Sequence, residues 1–325
     1  MPHRTLITGG AGFIGSHLAE RLHARGDEVV IIDDLSTGRE ANIASLIGER
    51  CKLIKGKVSE VLRQEPGVLA GVTQVYHLAA SVGVQLVVKD PAAIIRNNTE
   101  ETAALFEAVR GSEAVVLIAS SSEVYGKSTA VPLREDSDLI FGPTTQPRWS
   151  YALSKAIDEH LALAACGFAP PTPAIIVRLF NTIGPRQVGH YGMVVPRFVQ
   201  AAVRGQDLTL YGDGQQTRAF CDVRDVVSAM TALMDNEDCF GQIFNIGSDE
   251  EITIDALADR VIALSGSGGS RSRKRLVSFD DAYAPGFEDP FRRRVPDVSK
   301  LREAIEWKRQ HTLEQTLREL LSTSA

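Results

Sequence analysis

Four cysteines are scattered through the 325 residues, at Cys51, Cys166, Cys221 and Cys239. None forms a Cys-x-x-Cys pair, and no Cys/His cluster has metal-ligand spacing, which excludes a disulfide framework and a zinc site as readings of this sequence. A reduced, cytoplasmic setting without a metal is the expectation. No apolar run approaches the roughly 18 residues that a membrane helix needs. The strand pattern Thr5-Leu6-Ile7-Thr8 begins at once, without the layout of a signal peptide. Basic excess is missing too. The 35 Lys and Arg face 41 Asp and Glu, a net charge of -6 that argues against non-specific binding to nucleic acid or acidic membranes. A small anion is still compatible, since a few local arginines suffice to hold one. The chain also shows no internal repeat and no long disordered tail. What it does have is an ordinary globular composition, 44% hydrophobic and 23% charged, with ample material for a core. The length fits one large domain or two intimately packed ones.

The first half alternates short apolar runs with helical periodicity. Strands are expected at 5–8, 28–33, 52–55, 74–78, 115–120 and 174–179, with helices at 16–25, 92–109 and 151–165. This alternation implies an α/β fold, a doubly wound parallel sheet with helices on both faces. After Phe180 the pattern loosens into Gly-Pro breaks and longer connections. A strand at 242–246 is expected to return to the sheet. The expected division is a Rossmann-type dinucleotide domain over 1–180, rejoined by about 220–247, and a smaller, interrupted α/β substrate domain over 181–219 and 248–325. The Ser/Gly-rich stretch 265–270 and the basic 271–275 read as an exposed loop.

The segment Thr8-Gly9-Gly10-Ala11-Gly12-Phe13-Ile14-Gly15 lies between the first strand and the first helix. Gly9 permits a tight turn, Gly12 lets the backbone approach a pyrophosphate, and Gly15 allows close helix–strand packing. The helix N-terminus then offers free N–H groups to phosphates. A plain structural turn is the bland alternative. The context decides against it, because a second strand ends at Asp33, 18 residues past Gly15, where a carboxylate accepts from ribose hydroxyls and repels a 2′-phosphate. NAD is therefore expected rather than NADP; whether Asp33 or Asp34 points at the ribose stays open.

Tyr151-Ala152-Leu153-Ser154-Lys155 opens a helix, and residues four apart share a face. A phenol is a poor base at neutral pH, but a neighbouring ammonium and a positive nicotinamide favour its ionised form. An ionised Tyr151 is then placed to take a proton from a substrate hydroxyl while hydride leaves for a cofactor. Upstream, a strand ends in Ser120-Ser121-Ser122-Glu123, where ligands of such sheets bind. Ser121 is placed to share the proton, although a serine there is also an ordinary turn residue.

Taken together, these segments resemble the extended short-chain dehydrogenase/reductases, in the nucleotide-sugar epimerase, dehydratase and decarboxylase group. The resemblance covers essentially the whole chain. It rests further on His77-Leu78-Ala79-Ala80, Asn97-Asn98, Arg178-Leu179-Phe180-Asn181, Gly184-Pro185-Arg186, Gln216-Thr217-Arg218 and Arg294-Val295-Pro296-Asp297. It implies that Phe13, Ile14, Leu78, Ala79, Ala80 and Asn98 join the glycines and Asp33 around NAD. Tyr151 would be the base, Lys155 would hold the nicotinamide ribose and tune Tyr151, and Ser121 would assist. Ser122, Asn181, Arg186, Arg218 and Arg294 would bind substrate, with Asn181, Arg218 and Arg294 clamping its diphosphate; arginine suits this through bidentate bonds. Arg292 and Arg293 read as surface ion pairs. A homodimer is implied, joined through the helices at 92–109 and 151–165. Two positions depart from the family pattern. Gly56-Lys57-Val58 lacks the usual Asp near the adenine, and Glu101 stands where glycine is frequent.

Relatives of this kind share oxidation of the sugar at carbon 4 and diverge afterwards. The expectation is an NAD-dependent 4-epimerase working through a transient 4-keto sugar, on a UDP-hexose or UDP-hexuronate such as UDP-glucuronate. UDP-glucuronate decarboxylation is the close runner-up, because Glu123 in Ser-Glu-Val-Tyr-Gly, the Pro147-Arg148-Trp149 lead-in and Arg294 resemble the decarboxylases. A 4,6-dehydratase and a non-catalytic NAD-binding protein rank behind. Glu123 is either a catalytic acid or a hydrogen-bonding neighbour of the sugar.

Overall fold

A computed structural model describes residues 2–81, 90–189, 193–266, 272–278, 281 and 292–323. Residues 267–271 of the exposed loop expected at 265–275 lie outside these, and the expectation is corrected at Lys274 and Arg275, which belong to a strand (Lys274–Val277) paired with Leu208–Tyr211. The first half runs β1 (Arg4–Thr8), α1 (Phe13–Arg25), β2 (Glu28–Asp33), β3 (Cys51–Lys55), α2 (Val58–Gln64), β4 (Gln74–His77), α3 (Pro91–Val109), β5 (Val115–Ser121), α4 (Trp149–Gly167) and β6 (Ala174–Leu179). The second half adds the short strands β7 (Thr182–Ile183), β8 (Leu208–Tyr211), β9 (Thr217–Ala219) and β10 (Cys221–Asp222), then β11 (Ile243–Ile246), β12 (Glu251–Thr253), β13 (Lys274–Val277) and β14 (Arg293–Arg294). Its helices are α5 (Val194–Val203), α6 (Val223–Met234), α7 (Ile254–Ser265), α8 (Ser299–Ile305) and α9 (Leu313–Thr323).

Seven strands form one sheet in the order β11-β6-β5-β4-β1-β2-β3. Every neighbouring pair in it is parallel. Period-2 alternation explains why both faces are covered. Ile7, Val29, Ile31, Tyr76, Leu117, Ile175 and Val177 point to one face, where Leu18 and Leu22 of α1 and Val226 and Met230 of α6 pack. Leu6, Val30, Ile32, Val75, Val116, Ile118 and Ile176 point to the other, against α2, α3 and Ala162 of α4. The chain leaves β1 for β2 and β3, then returns to β4 on the opposite side of β1. That reversal opens a crevice at the carboxyl ends of β1 and β4, the usual ligand position in such sheets.

A separate apolar cluster lies beyond the sheet, built from Val195 and Phe198 of α5, Leu208 and Leu210 of β8, Leu257 and Val261 of α7, and Leu317 of α9. Its strands are two to four residues long and pair across large sequence separations. The strand Thr217–Ala219 is central, antiparallel to β12 and parallel to β14, with Arg294 in register with Arg218. No helix among the described residues is long and apolar enough to cross a membrane.

Candidate active site

A cleft of about 580 Å³ runs from the loop after β1, across the ends of β4 and β5, to the short strands of the second half. Its first end is the glycine loop. Gly9 has φ +70°, and a Cβ there would stand 2.8 Å from the Ala79 backbone nitrogen. The helix starts three residues earlier than the periodicity predicts, at Phe13, so Phe13 and Ile14 belong to its first turn and Gly15 is helical. A Cβ on Gly15 would lie 2.2 Å from the Gly9 carbonyl oxygen. The expected role of Gly15 is corrected accordingly: it packs on the backbone of its own loop rather than on a strand. The N-cap of this helix is Gly12, without a side-chain cap or an acidic residue in the first turn. Its leading N–H groups are thus left for an anion, as a dinucleotide pyrophosphate requires.

Asp33 sits at the floor of this end. Its carboxylate accepts from the Ala11 N–H at 2.9 Å and the Leu35 N–H at 2.8 Å. Burial nonetheless holds its pKa above the ordinary carboxylate value. Asp34 is exposed and accepts from the Ser36 N–H at 2.9 Å. Both line the cleft, with Leu78, Ala79, Ala80, Asn98, Lys57 and Glu101. Glu101 has a local explanation: it accepts from the Ser59 N–H at 2.7 Å and the Ser59 hydroxyl at 2.8 Å, closing the start of α2. Asn98 is 1% exposed. It accepts from the Ser81 N–H at 2.8 Å and donates to the Ser154 hydroxyl at 3.0 Å, which itself donates to the Tyr151 carbonyl at 2.8 Å. Asn98 therefore ties the cofactor end to the helix that carries Tyr151. Beneath both, the His77 imidazole is hydrogen-bonded to Thr8 at 2.7 Å and Thr102 at 3.1 Å. Burial and then the Lys155 charge push its pKa down to about 3, so it is neutral.

The centre of the cleft holds Ser121, Ser122, Glu123, Arg148 and Tyr151. Tyr151 is in the first turn of α4 and hydrogen-bonded to Ser121. Burial raises its pKa above that of a free phenol, the Ser121 bond opposes the rise, and the carboxylates of Glu123 and Asp158 add to it. Lys155, one helical turn further along α4, lies outside the cleft lining. It has only 2% of its side chain exposed and donates to Asp158 Oδ2 at 2.7 Å, an i, i+3 ion pair behind the cleft wall.

Glu123 is held between two arginines, with Arg294 Nη1 at 2.8 Å and Arg148 Nη2 at 3.7 Å. Arg294 is brought here by the pairing of β14 with β9, which also carries Arg218. Arg218, Asn181, Gln216, Arg197 and Tyr211 continue the lining. Asn181 donates to the Ala219 carbonyl at 3.2 Å, fixing the strand that bears Arg218. Arg197 lies over the Tyr211 ring at 4.6 Å. Arg186 is a further correction. Outside the cleft lining, its guanidinium donates to Glu20 at 2.9 and 2.7 Å and to the Asn42 carbonyl at 3.1 Å. Its backbone lies at φ +69°, which turns the side chain onto α1. Arg292 and Arg293 form exposed pairs with Asp213 and Glu251. Sequence reasoning missed Arg148, Arg197 and Tyr211 as site residues. The Tyr-Gly-Asp-Gly turn and the position of Arg148 just before Tyr151 were the available signals.

A wall of buried polar groups stands behind the centre. Glu159 of α4 accepts from the Ser120 hydroxyl and from Arg178 at 2.9 and 2.8 Å. Arg178 in turn stacks on Tyr125, whose hydroxyl donates to Asn245 at 2.6 Å. This network binds β5, β6 and β11 to the helix of Tyr151, so the reacting centre rests on the rigid sheet.

The description NAD dependent epimerase/dehydratase family matches residues 5–247. The chain belongs to that family. NAD is its cofactor, and the uncapped helix start, the close approach at Gly9 and Asp33 fit that dinucleotide. The chain is 40% identical to a UDP-N-acetyl-alpha-D-glucosaminuronate decarboxylase of Bacillus cytotoxicus, over 99% of this chain and 97% of the relative. It is 35% identical to UDP-glucuronic acid decarboxylase 1 of Xenopus tropicalis, over 97% of this chain and 70% of the relative. Among solved structures, a UDP-N-acetylglucosamine 4-epimerase from Methanobrevibacter ruminantium M1, in complex with UDP-N-acetylmuramic acid, superposes with a TM-score of 0.86 at 27% identity, covering 99% of this chain and 97% of that one. The fold and the family expected from the motifs are those found.

Proposed function

We propose that this enzyme decarboxylates a UDP-linked hexuronate, UDP-glucuronate or its 2-acetamido counterpart, through a transient 4-ketone. This reading stands ahead of the 4-epimerisation anticipated from the sequence. The observation that carries it is the Glu123–Arg294 pair, with Arg148 on its other side, lining the cleft next to Tyr151 and Ser121. A neutral hexose needs no such concentration of positive charge beside its ring, whereas a 6-carboxylate does. The decarboxylases among the relatives support the same reading.

NAD, held by the glycine loop, Asp33 and Asn98, would supply the hydride acceptor for sugar carbon 4. Tyr151 takes the proton of the 4-hydroxyl, with Ser121 hydrogen-bonded to it. Arg148 and Arg294 attract the 6-carboxylate and fix its side of the ring. The 4-ketone is β to that carboxylate, so the carbon 5–carbon 6 bond breaks with loss of carbon dioxide and the electron pair moves to the ketone oxygen. Tyr151, whose burial favours the neutral phenol, holds its proton at that oxygen. A solvent proton replaces the carboxyl at carbon 5. Glu123 stays paired with Arg294 and orients it. The diphosphate falls to Arg218 and Asn181, and the base to the Arg197–Tyr211 end. We place the dinucleotide-binding unit on the seven-stranded sheet and the substrate unit on the separate apolar cluster. The exposed Ile95, Ile157 and Leu163 on α3 and α4 suit burial against a second copy of the chain.

The test is incubation of the protein and NAD with UDP-glucuronate and with UDP-N-acetylglucosaminuronate, followed by proton NMR and carbon dioxide release. A UDP-pentose or 4-keto-pentose with one carbon dioxide is expected. Conversion to the 4-epimeric hexuronate without carbon dioxide would overturn this reading and restore epimerisation.

A further inference from the structure

Helix α4 carries three functional groups in one line. Tyr151, Lys155 and Asp158 are spaced four and three residues apart, so they follow each other down a single face. The phenol lines the cleft, and the Lys155–Asp158 pair follows it along α4 behind the cleft wall. The Lys155–Asp158 bond is 2.7 Å, and the two side chains are 2% and 1% exposed. The second carboxylate oxygen, Asp158 Oδ1, is buried without a hydrogen-bond partner among the described residues. An uncompensated carboxylate oxygen at this depth is unfavourable. Nothing in the packing of α4 requires a carboxylate here, because Glu159 already makes the ties to Ser120 and Arg178. Its one partner is Lys155.

We propose that Asp158 is a positioning residue for Lys155, fixing its ammonium on the Tyr151 face of α4 through the buried 2.7 Å ion pair. The proposal rests on the reading of Tyr151 as the base. Charged and titratable groups face this line from each neighbouring element. His77 comes from β4 and is neutral, and Glu123 comes from the turn after β5 and is paired with Arg294. The Glu159–Arg178 pair reaches across from β6. Asn98 and Thr102 of α3 contribute only neutral groups. Asp158 is therefore the carboxylate in direct contact with Lys155.

Removing this carboxylate acts on both neighbours. The ammonium loses the contact that fixes it on this face of α4. The phenol loses a nearby negative charge and ionises more easily. The limb of the pH profile that reports the phenol then moves to lower pH, which a residue of purely structural role would not cause.

The experiment compares pH profiles of kcat and kcat/KM on the hexuronate substrate for the wild type, Asp158→Asn, Asp158→Ser and Asp158→Glu, with NAD bound. An ultraviolet difference titration against Tyr151→Phe reads phenol ionisation without turnover. Asp158→Asn is expected to move the phenol limb down by about one pH unit, with the phenolate absorbance moving alike, and Asp158→Glu is expected to recover most of the shift. Asp158→Ser repeats the measurement should Asp158→Asn fail to fold. A phenol limb and absorbance that stay at the wild-type positions would overturn the proposal, whatever happens to Tm. If Tyr151→Phe retains normal turnover, the reading of the base fails instead, and the two failures are separable.

Discussion

The two ends of the cleft are built from opposite materials. The cofactor end is lined by the carboxylates Asp33, Asp34 and Glu101 with Lys57, around a glycine loop and a bare helix start. The substrate end is lined by Arg148, Arg197, Arg218 and Arg294 with the single carboxylate Glu123. The first offers backbone N–H groups and carboxylates; the second offers side-chain cations. They also differ in how the chain makes them. The cofactor end comes from segments directly following β1, β2, β3 and β4, all strands of one sheet, and from α3 packed on that sheet. The substrate end joins the turn after β5 and the start of α4 to α5, β8, β9 and β14, whose contacts span much larger separations in sequence.

The division of labour can be broken most severely at the reacting centre between the ends. Tyr151→Phe is expected to lower kcat by about 10²–10⁴-fold while NAD titration by fluorescence shows near-normal affinity. Normal turnover in that variant would remove the proposed chemistry. At the cofactor end, Gly15→Val places a branched side chain where even a Cβ meets the Gly9 carbonyl at 2.2 Å. Loss of measurable NAD binding and a Tm lower by several degrees are expected; unchanged affinity would show that the loop relaxes freely. At the substrate end, Arg294→Ala leaves Glu123 as an ill-compensated charge in the cleft. A rise in KM for the hexuronate and a fall in kcat/KM of about 10²-fold, equivalent to about 3 kcal/mol, are expected, with NAD affinity unaltered. An equal loss of NAD binding would refute the separation of the two ends.

A smaller effect concerns the floor shared by both ends. His77 has its folded pKa depressed from 6.5 to about 3. Because the unfolded chain binds the proton more readily, the stability tied to neutral His77 is present above about pH 6.5 and is lost as pH falls toward 3. Urea unfolding at pH 7.5 and pH 4.5 should show the wild type losing more stability on acidification than His77→Gln. Equal losses would mean that the imidazole is not held neutral. The smallest effect is expected at Arg186. Its pair with the 44%-exposed Glu20 is worth about 0–1 kcal/mol, and Arg186→Ala should leave KM for the hexuronate within about twofold. A large rise in KM would return Arg186 to the substrate site.

The sheet was legible in the sequence because most of its strands are short apolar runs buried on both faces, and several are followed by Gly, Asp or Ser at the ligand-bearing end. The glycine loop and Asp33 were legible because their roles depend on local backbone geometry and a fixed spacing. Tyr151 was legible through its partner four residues on. The start of α1 was read three residues late, because glycines at 12 and 15 look like loop until the packing of Gly15 on its own turn is known.

By itself, the sequence determined the doubly wound sheet, the dinucleotide end and the family, since these follow from periodicity and from motifs a few residues long. Only the tertiary structure decided that Lys155 sits on Asp158, that Arg186 turns to Glu20, and that Arg148 and Arg294 close on Glu123. The physical reason is distance. A long cationic side chain settles on whichever anion the fold brings within reach, and which anion that is depends on strand pairings such as β9 with β14 that no local pattern encodes.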